Sequence, residues 1–392
     1  MEKNSSIEIL SEEECTGCGL CVNICPTKAI EWKMNYTSFF YPKIIKEKCI
    51  NCGLCLSSCK KETKELKEIK KSMFVFVKEE NFRKKGASGG FSTFLMKNII
   101  ENGGVVCGCT LNEELEVKHL CIEKKEDIYI FQDSKYVQSY LGDIYNEIDK
   151  YIKNKRQVLF VGTPCQVKAI KEKIKSELLI TCDLVCHGVP SYHAFNNYIE
   201  YLEKKHKDKV IGYRFRNKNK HDKYGYLGKL FFEKREEKDI IPEFDPYYYA
   251  FIKGFNCRKS CYYCNYSNIK RIGDFTLGDT GTWKKYLNFY PNEVLSLVTL
   301  NTEKAIQIFD SIKEKLEYID IDIIEEKKVN HCLSKSTLFN EKEWKNFYSN
   351  LDNFDYLEKY YHKKISLREK IKIILIYNTS LKLRQSILRL LK

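Results

Sequence analysis

The chain has 392 residues with 43% hydrophobic content, a net charge of +14 and 18 cysteines. Its length is too great for one small electron carrier and predicts two or three domains, and its hydrophobic content excludes a disordered chain. The basic residues are spread along the chain without a nucleic-acid-binding motif, so a Lys-rich composition accounts for the charge and no nucleic-acid partner is expected.

The opening MEKNSSIEIL has no basic stretch leading into an apolar one, so no secretory leader is expected. In a reducing cytoplasm so many cysteines point to metal ligands and not to a disulfide framework. Cys15, Cys18, Cys21 and Cys25-Pro26 form one run; Cys49, Cys52, Cys55 and Cys59 repeat its spacing. Three thiolates at two-residue gaps line a turn around one iron–sulfur cube, and the fourth crosses to the other cube. The first cluster is therefore expected on Cys15, Cys18, Cys21 and Cys59, the second on Cys49, Cys52, Cys55 and Cys25. Gly17, Gly19 and Gly53 are expected to bring backbone N–H groups to the sulfides. Zinc is the alternative, but it pairs its cysteines in twos. Lys60 stands where the first run has proline. Residues 1–65 resemble the bacterial two-cluster ferredoxins, which implies two 4Fe-4S clusters passing single electrons.

KETKELKEIKK (61–71) reads as a linker or solvated helix. SMFVFVK (72–78) is a predicted strand. GFSTFLMKNIIENGG (90–104) is a helix closed by glycine, VVCGCTL a strand, and YLGDIYNEIDKYIKN (140–154) an amphipathic helix. QVLFVGTPCQVKAIKEKI (157–174) reads as buried strand, tight turn and helix. ELLITCDLVCHGVPS (177–191) followed by YHAFNNYIEYLEKK repeats that pattern. VIGYRFRNK and YGYLGKLFFEK look like antiparallel neighbours. The alternation predicts an α/β fold of mixed α+β character: a mixed-sheet core over 72–300 and a mostly helical region over 301–392. No apolar run reaches the length of a membrane span, and the basic C-terminus reads as a helix packed on the body, with peripheral membrane contact as the alternative.

Six of the other ten cysteines stand in compact contexts: GTPCQ (Cys165), ITCDLVCHGVPS (Cys182, Cys186) and CRKSCYYC (Cys257, Cys261, Cys264). Loops leaving strand ends build the sites of open α/β sheets, so Cys165, Cys186, Cys261 and Cys264 are expected to converge as a third 4Fe-4S cluster. The alternative is buried apolar thiols. CRKSCYYC also matches the radical-SAM spacing, a minority reading because that cluster sits early in a barrel-type domain.

GASGGFSTFLMKNIIENGGVVCGCTL, SKYVQSYLGDIY, VLFVGTPCQVKAIK, DLVCHGVPS, YRFRNK and RKSCYYCNYSNIKRIGDFTLGD follow in one order over about residues 75–285. Together they resemble the coenzyme F420 hydrogenase/dehydrogenase beta-subunit family. The resemblance implies a flavin-binding iron–sulfur core, with FAD near Ser88, Gly89 and Gly90, at a helix N-terminus that favours phosphate or a flavin anion. Ser134, Lys135 and Tyr136 are candidates for the pyrophosphate, and Gly162, Thr163, Pro164, Gly278 and Asp279 are further contacts. GDTGTWKKY departs from the family, with Trp283 displaced, which points to a rebuilt loop and a substrate other than the deazaflavin. The expected function is electron transfer from an acidic carrier such as ferredoxin or flavodoxin, through the clusters to FAD and on to a small organic substrate, or the reverse. His187 is the candidate proton donor, with a backbone-bonded structural role as its alternative. Rival expectations are deazaflavin oxidoreduction within a larger complex and a non-catalytic electron relay.

Overall fold

The computed structural model describes residues 7–59, 66–217, 227–287 and 294–378. In the cysteine-dense segment, β1 (Ile30–Met34) pairs antiparallel with β2 (Phe40–Ile44). Short helices Leu20–Ile24 and Leu54–Ser57 each start after a left-handed glycine, Gly19 at φ 83° and Gly53 at φ 72°. At both sites a side chain would strain the turn that wraps the cysteine run.

The core is an eight-stranded mixed sheet. Its strands are β3 (Lys71–Val77), β4 (Val105–Leu111), β5 (Val117–Ile122), β6 (Val158–Gly162) and β7 (Leu179–Leu184). A separate three-stranded antiparallel sheet holds β8 (Val210–Asn217), β9 (Leu227–Phe232) and β10 (Lys238–Ile240). The large sheet is completed by β11 (Phe275–Asp279), β12 (Ser296–Leu300) and β13 (Leu316–Asp320), in the order β13-β3-β12-β11-β7-β6-β4-β5. The central four, β4, β6, β7 and β11, run parallel, and the flanking pairs are antiparallel. Every residue of VLFVG in β6 is buried, as a strand covered on both faces requires.

The predicted strand-turn-helix units form as read. Helix Pro164–Lys173 starts with Pro164 in its first turn and a reciprocal cap between Thr163 and Gln166. Helix Phe91–Glu101 follows Gly90 and ends before Gly103. Helix Tyr192–His206 is capped by the Ser191 hydroxyl, which accepts from the Ala194 N–H. Past residue 300 the chain is mostly helical, yet β13 joins the large sheet, because alternating LEYID lies along β3. The core sheet thus reaches beyond the boundary expected at 300. Helices Glu341–Tyr348 and Phe354–Lys364 bury Trp344, Phe347, Phe354 and Tyr361 against Tyr198, Tyr247 and the β8–β10 sheet.

Cys107 and Cys121 face each other across β4 and β5 and are joined by a disulfide. The expectation of metal ligands alone did not foresee this bond. Among the described residues no helix is long and apolar enough to cross a membrane. Residues 379–392, most of the basic terminus considered for membrane contact, and residues 60–65 of the expected linker lie outside the described residues.

Candidate functional site

Three sets of thiols can be followed through the molecule. Cys25, Cys49, Cys52 and Cys55 line one surface cleft, the set expected for the second cluster, and Cys52 is exposed. The Cys25 sulfur accepts from the Ala29 N–H at 3.2 Å, an interaction that favours a thiolate. Deeper in, the buried Cys21 thiol is raised by burial and by the charges of Cys18, Cys15 and Cys59, the set expected for the first cluster. The two sets adjoin, with Cys21, Cys25, Cys55 and Cys59 packed together around Ile7 and Ile30.

The third set stands at the carboxyl ends of the parallel strands. Cys165 opens the helix after β6, Cys186 follows β7, and Cys261 and Cys264 come from the loop before β11. Burial pushes the Cys165 thiol up to about 12, and the neighbouring Cys264 and Cys18 add to the rise. Burial also raises Cys186, with Cys165 and Cys264 beside it, and Cys261, with Cys257, Cys186, Cys264 and Cys165 beside it. Such thiols stay protonated alone, and bound iron supplies the charge that displaces the proton. Cys18 and Cys165 sense each other, and Tyr266 senses Cys165, Cys18, Cys264 and Cys59, so the first and third sets are neighbours. Among the described residues no three Cys, His, Asp or Glu close around one point as a single metal ion needs.

The other cysteines divide. Cys182 is a fully buried core thiol in β7. Cys257 is buried where Gly188 leaves room, since a Cβ there would lie 2.6 Å from its sulfur, and its carbonyl accepts from the Trp344 indole N–H. An open sheet is not the barrel that radical-SAM chemistry would occupy. Cys332, absent from the sequence expectations, brings its sulfur within 3.9 Å of His187 Nδ1 and near Cys264 and Cys186.

A cavity of ≈ 400 Å³ opens against this third set. Ser88, Gly90, Ser134, Lys135, Tyr136, Gly162, Thr163, Pro164, Gly278, Asp279 and His187 all line it, beside Cys165, Cys186, Cys261 and Cys264. Gly89 does not. Its missing side chain serves packing instead, because a Cβ would lie 2.3 Å from the Val75 carbonyl oxygen and 2.9 Å from the Ser296 nitrogen. The same holds for Gly162 against Phe160 and Gly278 against Val185, both at 2.8 Å, and Gly90 adds a left-handed φ of 82°. These glycines thus let the loops pack closely. Gly89→Ala is therefore expected to destabilise the fold by about 1–3 kcal/mol through overpacking, read as an earlier urea midpoint, with flavin content per folded chain unchanged.

What suits the cavity to an anionic, ring-bearing ligand lies elsewhere. Helices Phe91–Glu101 and Pro164–Lys173 begin at its wall, so the positive ends of both helix dipoles lie there. Lys135 is deep in the wall, its ammonium lowered by burial and donating to the Gln132 carbonyl at 2.6 Å. Arg216, which sequence reasoning did not single out, donates to Asp279 Oδ1 at 2.9 Å. Tyr136, stacked on Phe251 at 4.3 Å, and Phe131 add apolar wall. The residues present thus fit a flavin nucleotide. Cys109 and His119, cross-strand partners on β4 and β5, also line the cavity and were missed. Burial pushes His119 down to about 4, so it is neutral.

His187 is held by backbone: its Nε2 lies 3.0 Å from the Phe251 carbonyl, with Thr337 Oγ1 at 3.4 Å from Nδ1. Burial lowers its pKa, and the bond to the Phe251 carbonyl opposes that shift. The Phe251 contact is the backbone bond that the structural alternative expected, while His187 also lines the cavity as the proton-donor reading requires. Trp283 packs away from the cavity with Phe74, Leu297 and Leu333.

Residues 155–327 match the family model for the C-terminal part of the coenzyme F420 hydrogenase/dehydrogenase beta subunit, and residues 14–63 match a "4Fe-4S dicluster domain". No curated protein matches the chain. Among solved structures, a chain of the xenon-derivatized F420-reducing NiFe hydrogenase complex from Methanosarcina barkeri is similar at 16% identity and a TM-score of 0.46, covering 79% of this chain and 97% of that one. The two matches follow in the expected order, each over its own cysteine set: residues 14–63 are similar to a 4Fe-4S dicluster domain and residues 155–327 to the C-terminal part of the coenzyme F420 hydrogenase/dehydrogenase beta subunit.

Proposed function

We propose that this chain is an iron–sulfur flavoprotein oxidoreductase, taking single electrons at its exposed cysteine cleft and delivering them to a small organic substrate in the cavity. The observation that carries the proposal is the convergence of Cys165, Cys186, Cys261 and Cys264 on the wall of the cavity that also gathers the candidate flavin residues. The chain divides by role into residues 1–65, which receive electrons, 72–300, which hold the chemistry, and 301–392, which cover it.

Each set of thiols acts as the ligand shell of a four-iron cluster, in the order exposed, buried, core. Iron–sulfur cubes exchange one electron at a time, and a flavin stores two and passes them on as hydride. The chain's own part is placement. Lys135, Arg216 and the two helix N-termini bind the phosphates of FAD, and Tyr136 and Phe131 exclude water beside the ring. Lys28, Lys46 and Lys48 are exposed around the outer cleft and suit an acidic carrier such as ferredoxin or flavodoxin in the cytoplasm. A second reading, reduction or oxidation of the deazaflavin coenzyme itself as a subunit of a complex, is favoured by the family match.

Anaerobic purification with iron, sulfide and flavin quantified together tests the proposal. About twelve irons and one flavin per chain are expected, from about four irons in each of three clusters. A preparation with iron but no flavin leaves only the electron-relay alternative, and one with zinc in place of iron ends the proposal. Turnover of the deazaflavin by the isolated chain would select the second reading.

A further inference from the structure

Arg258 is 1% exposed, and among the described residues no carboxylate pairs with it. Burying a guanidinium costs several kcal/mol of desolvation unless a counter-charge repays it. Its hydrogen bonds go to neutral acceptors: Nε to the Cys15 carbonyl at 2.7 Å, Nη2 to the Phe40 carbonyl at 3.0 Å and Nη1 to Gln138 Oε1 at 3.2 Å. Its plane lies over the Tyr41 ring, 4.1 Å from the centroid, with Phe39 at 5.2 Å. One contact differs in kind. Nη2 also points at the Cys15 sulfur at 3.5 Å.

The surroundings are built for this approach. Gly17 has φ 70°, and a Cβ on it would stand 2.9 Å from Arg258 Nη1 and 2.5 Å from Gln138 Nε2. The glycine beside Cys18 therefore makes room for the cation. Arg258 itself sits between Cys257 and Cys261, and the Cys261 N–H donates to its carbonyl at 2.9 Å. One short loop thus holds a ligand of the core set at one end and a cation against a ligand of the buried set at the other.

We propose that Arg258 is the buried counter-cation of the cluster on Cys15, Cys18, Cys21 and Cys59, a positioning residue that raises this cluster's reduction potential. The inference rests on the cluster reading of the preceding section. The physics is direct. A cube on four thiolates is anionic and gains one more negative charge when it accepts an electron from the carrier. A fixed cation and an N–H to sulfur bond stabilise that added charge. The thiolate in turn supplies the anion that the buried guanidinium lacks.

Anaerobic redox titration of the full-length protein, followed by electron paramagnetic resonance, tests it on wild type, Arg258→Gln and Arg258→Lys. In Arg258→Gln one cluster wave is expected to move negative, so that at its wild-type midpoint the reduced-to-oxidised ratio falls at least tenfold, or about 59 mV for one electron. The remaining waves stay, and Arg258→Lys, which keeps the charge, moves the same wave less. Waves that all stay, or all move together, overturn the assignment. If neither variant folds, wild type carrying 15N in its arginine guanidinium groups decides. A 15N hyperfine coupling to one reduced cluster supports the proposal, and its absence defeats it. Wild-type protein without any cluster signal refutes the cluster reading itself, whereas signals without the shift or the coupling refute Arg258 alone.

Discussion

The double variant Cys264→Ala/Cys332→Ala is expected to lower the iron of anaerobically prepared protein from about twelve to about eight per chain, as one four-iron cluster is lost. Both thiols are replaced because Cys332 stands beside Cys264 and could serve in its stead. The outer cysteines are untouched, so two cluster signals persist. On the proposed route, reduction of a flavin in the cavity by electrons entering at the exposed cleft falls to background, because Cys165 stands beside Cys18 and on the cavity wall. Iron analysis, the count of signals and stopped-flow flavin absorbance check the three parts. Twelve irons retained in the double variant would show that these thiols hold no cluster.

The largest effect on stability is expected at Arg271. It is 1% exposed and bonds the fully buried Asp183 through Nη2 at 2.6 Å and Nε at 3.1 Å. It also donates to the carbonyls of Tyr266, Asn268 and Leu184. The other Asp183 oxygen accepts from the Ile272 and Gly273 N–H groups. This one pair pins the loop after Cys264 to the strand that leads to Cys186. Arg271→Ala leaves a buried carboxylate unpaired and should cost about 3–5 kcal/mol, read from anaerobic urea melts. Arg271→Lys, which keeps the charge but not the fork, is expected to fall between. A loss under about 1 kcal/mol in the alanine variant would mean that the pair contributes no more than an exposed one.

The residues that were legible in the sequence are those whose role is written in local spacing. Two identical cysteine runs, a buried VLFVG followed by a Thr-Pro helix start, and a second strand-helix unit all carry periodicity or caps within a dozen residues. Cys165, Cys186, Cys261 and Cys264 were read from turn contexts, and the parallel strands do bring them to one wall. What escaped depends on distance along the chain. Arg258 meets Cys15 across 243 positions, and Arg216 reaches Asp279 across 63. His119, Cys109 and Cys332 stand in unremarkable strings, and only strand pairing or helix packing carries them to the cavity. A glycine that avoids the Val75 carbonyl, as Gly89 does, looks the same in sequence as one that admits a ligand. β5 and β13 are short, and their VKHLCI and LEYID span too few residues for alternation alone to mark them as strands.

The cysteine-dense segment is seated on the core by more than Arg258. Gln138 donates to the Thr16 carbonyl at 3.2 Å, Tyr145 to the Cys18 carbonyl at 2.8 Å and Asn23 to the Gly142 carbonyl at 3.3 Å, while Lys259 pairs with Glu12 at 2.8 Å. On the proposed route, electrons crossing this seam would travel through fixed bonds and not on a swinging arm. Transfer across the seam should therefore be indifferent to solvent viscosity, which would slow only the encounters with the external carrier and with the substrate.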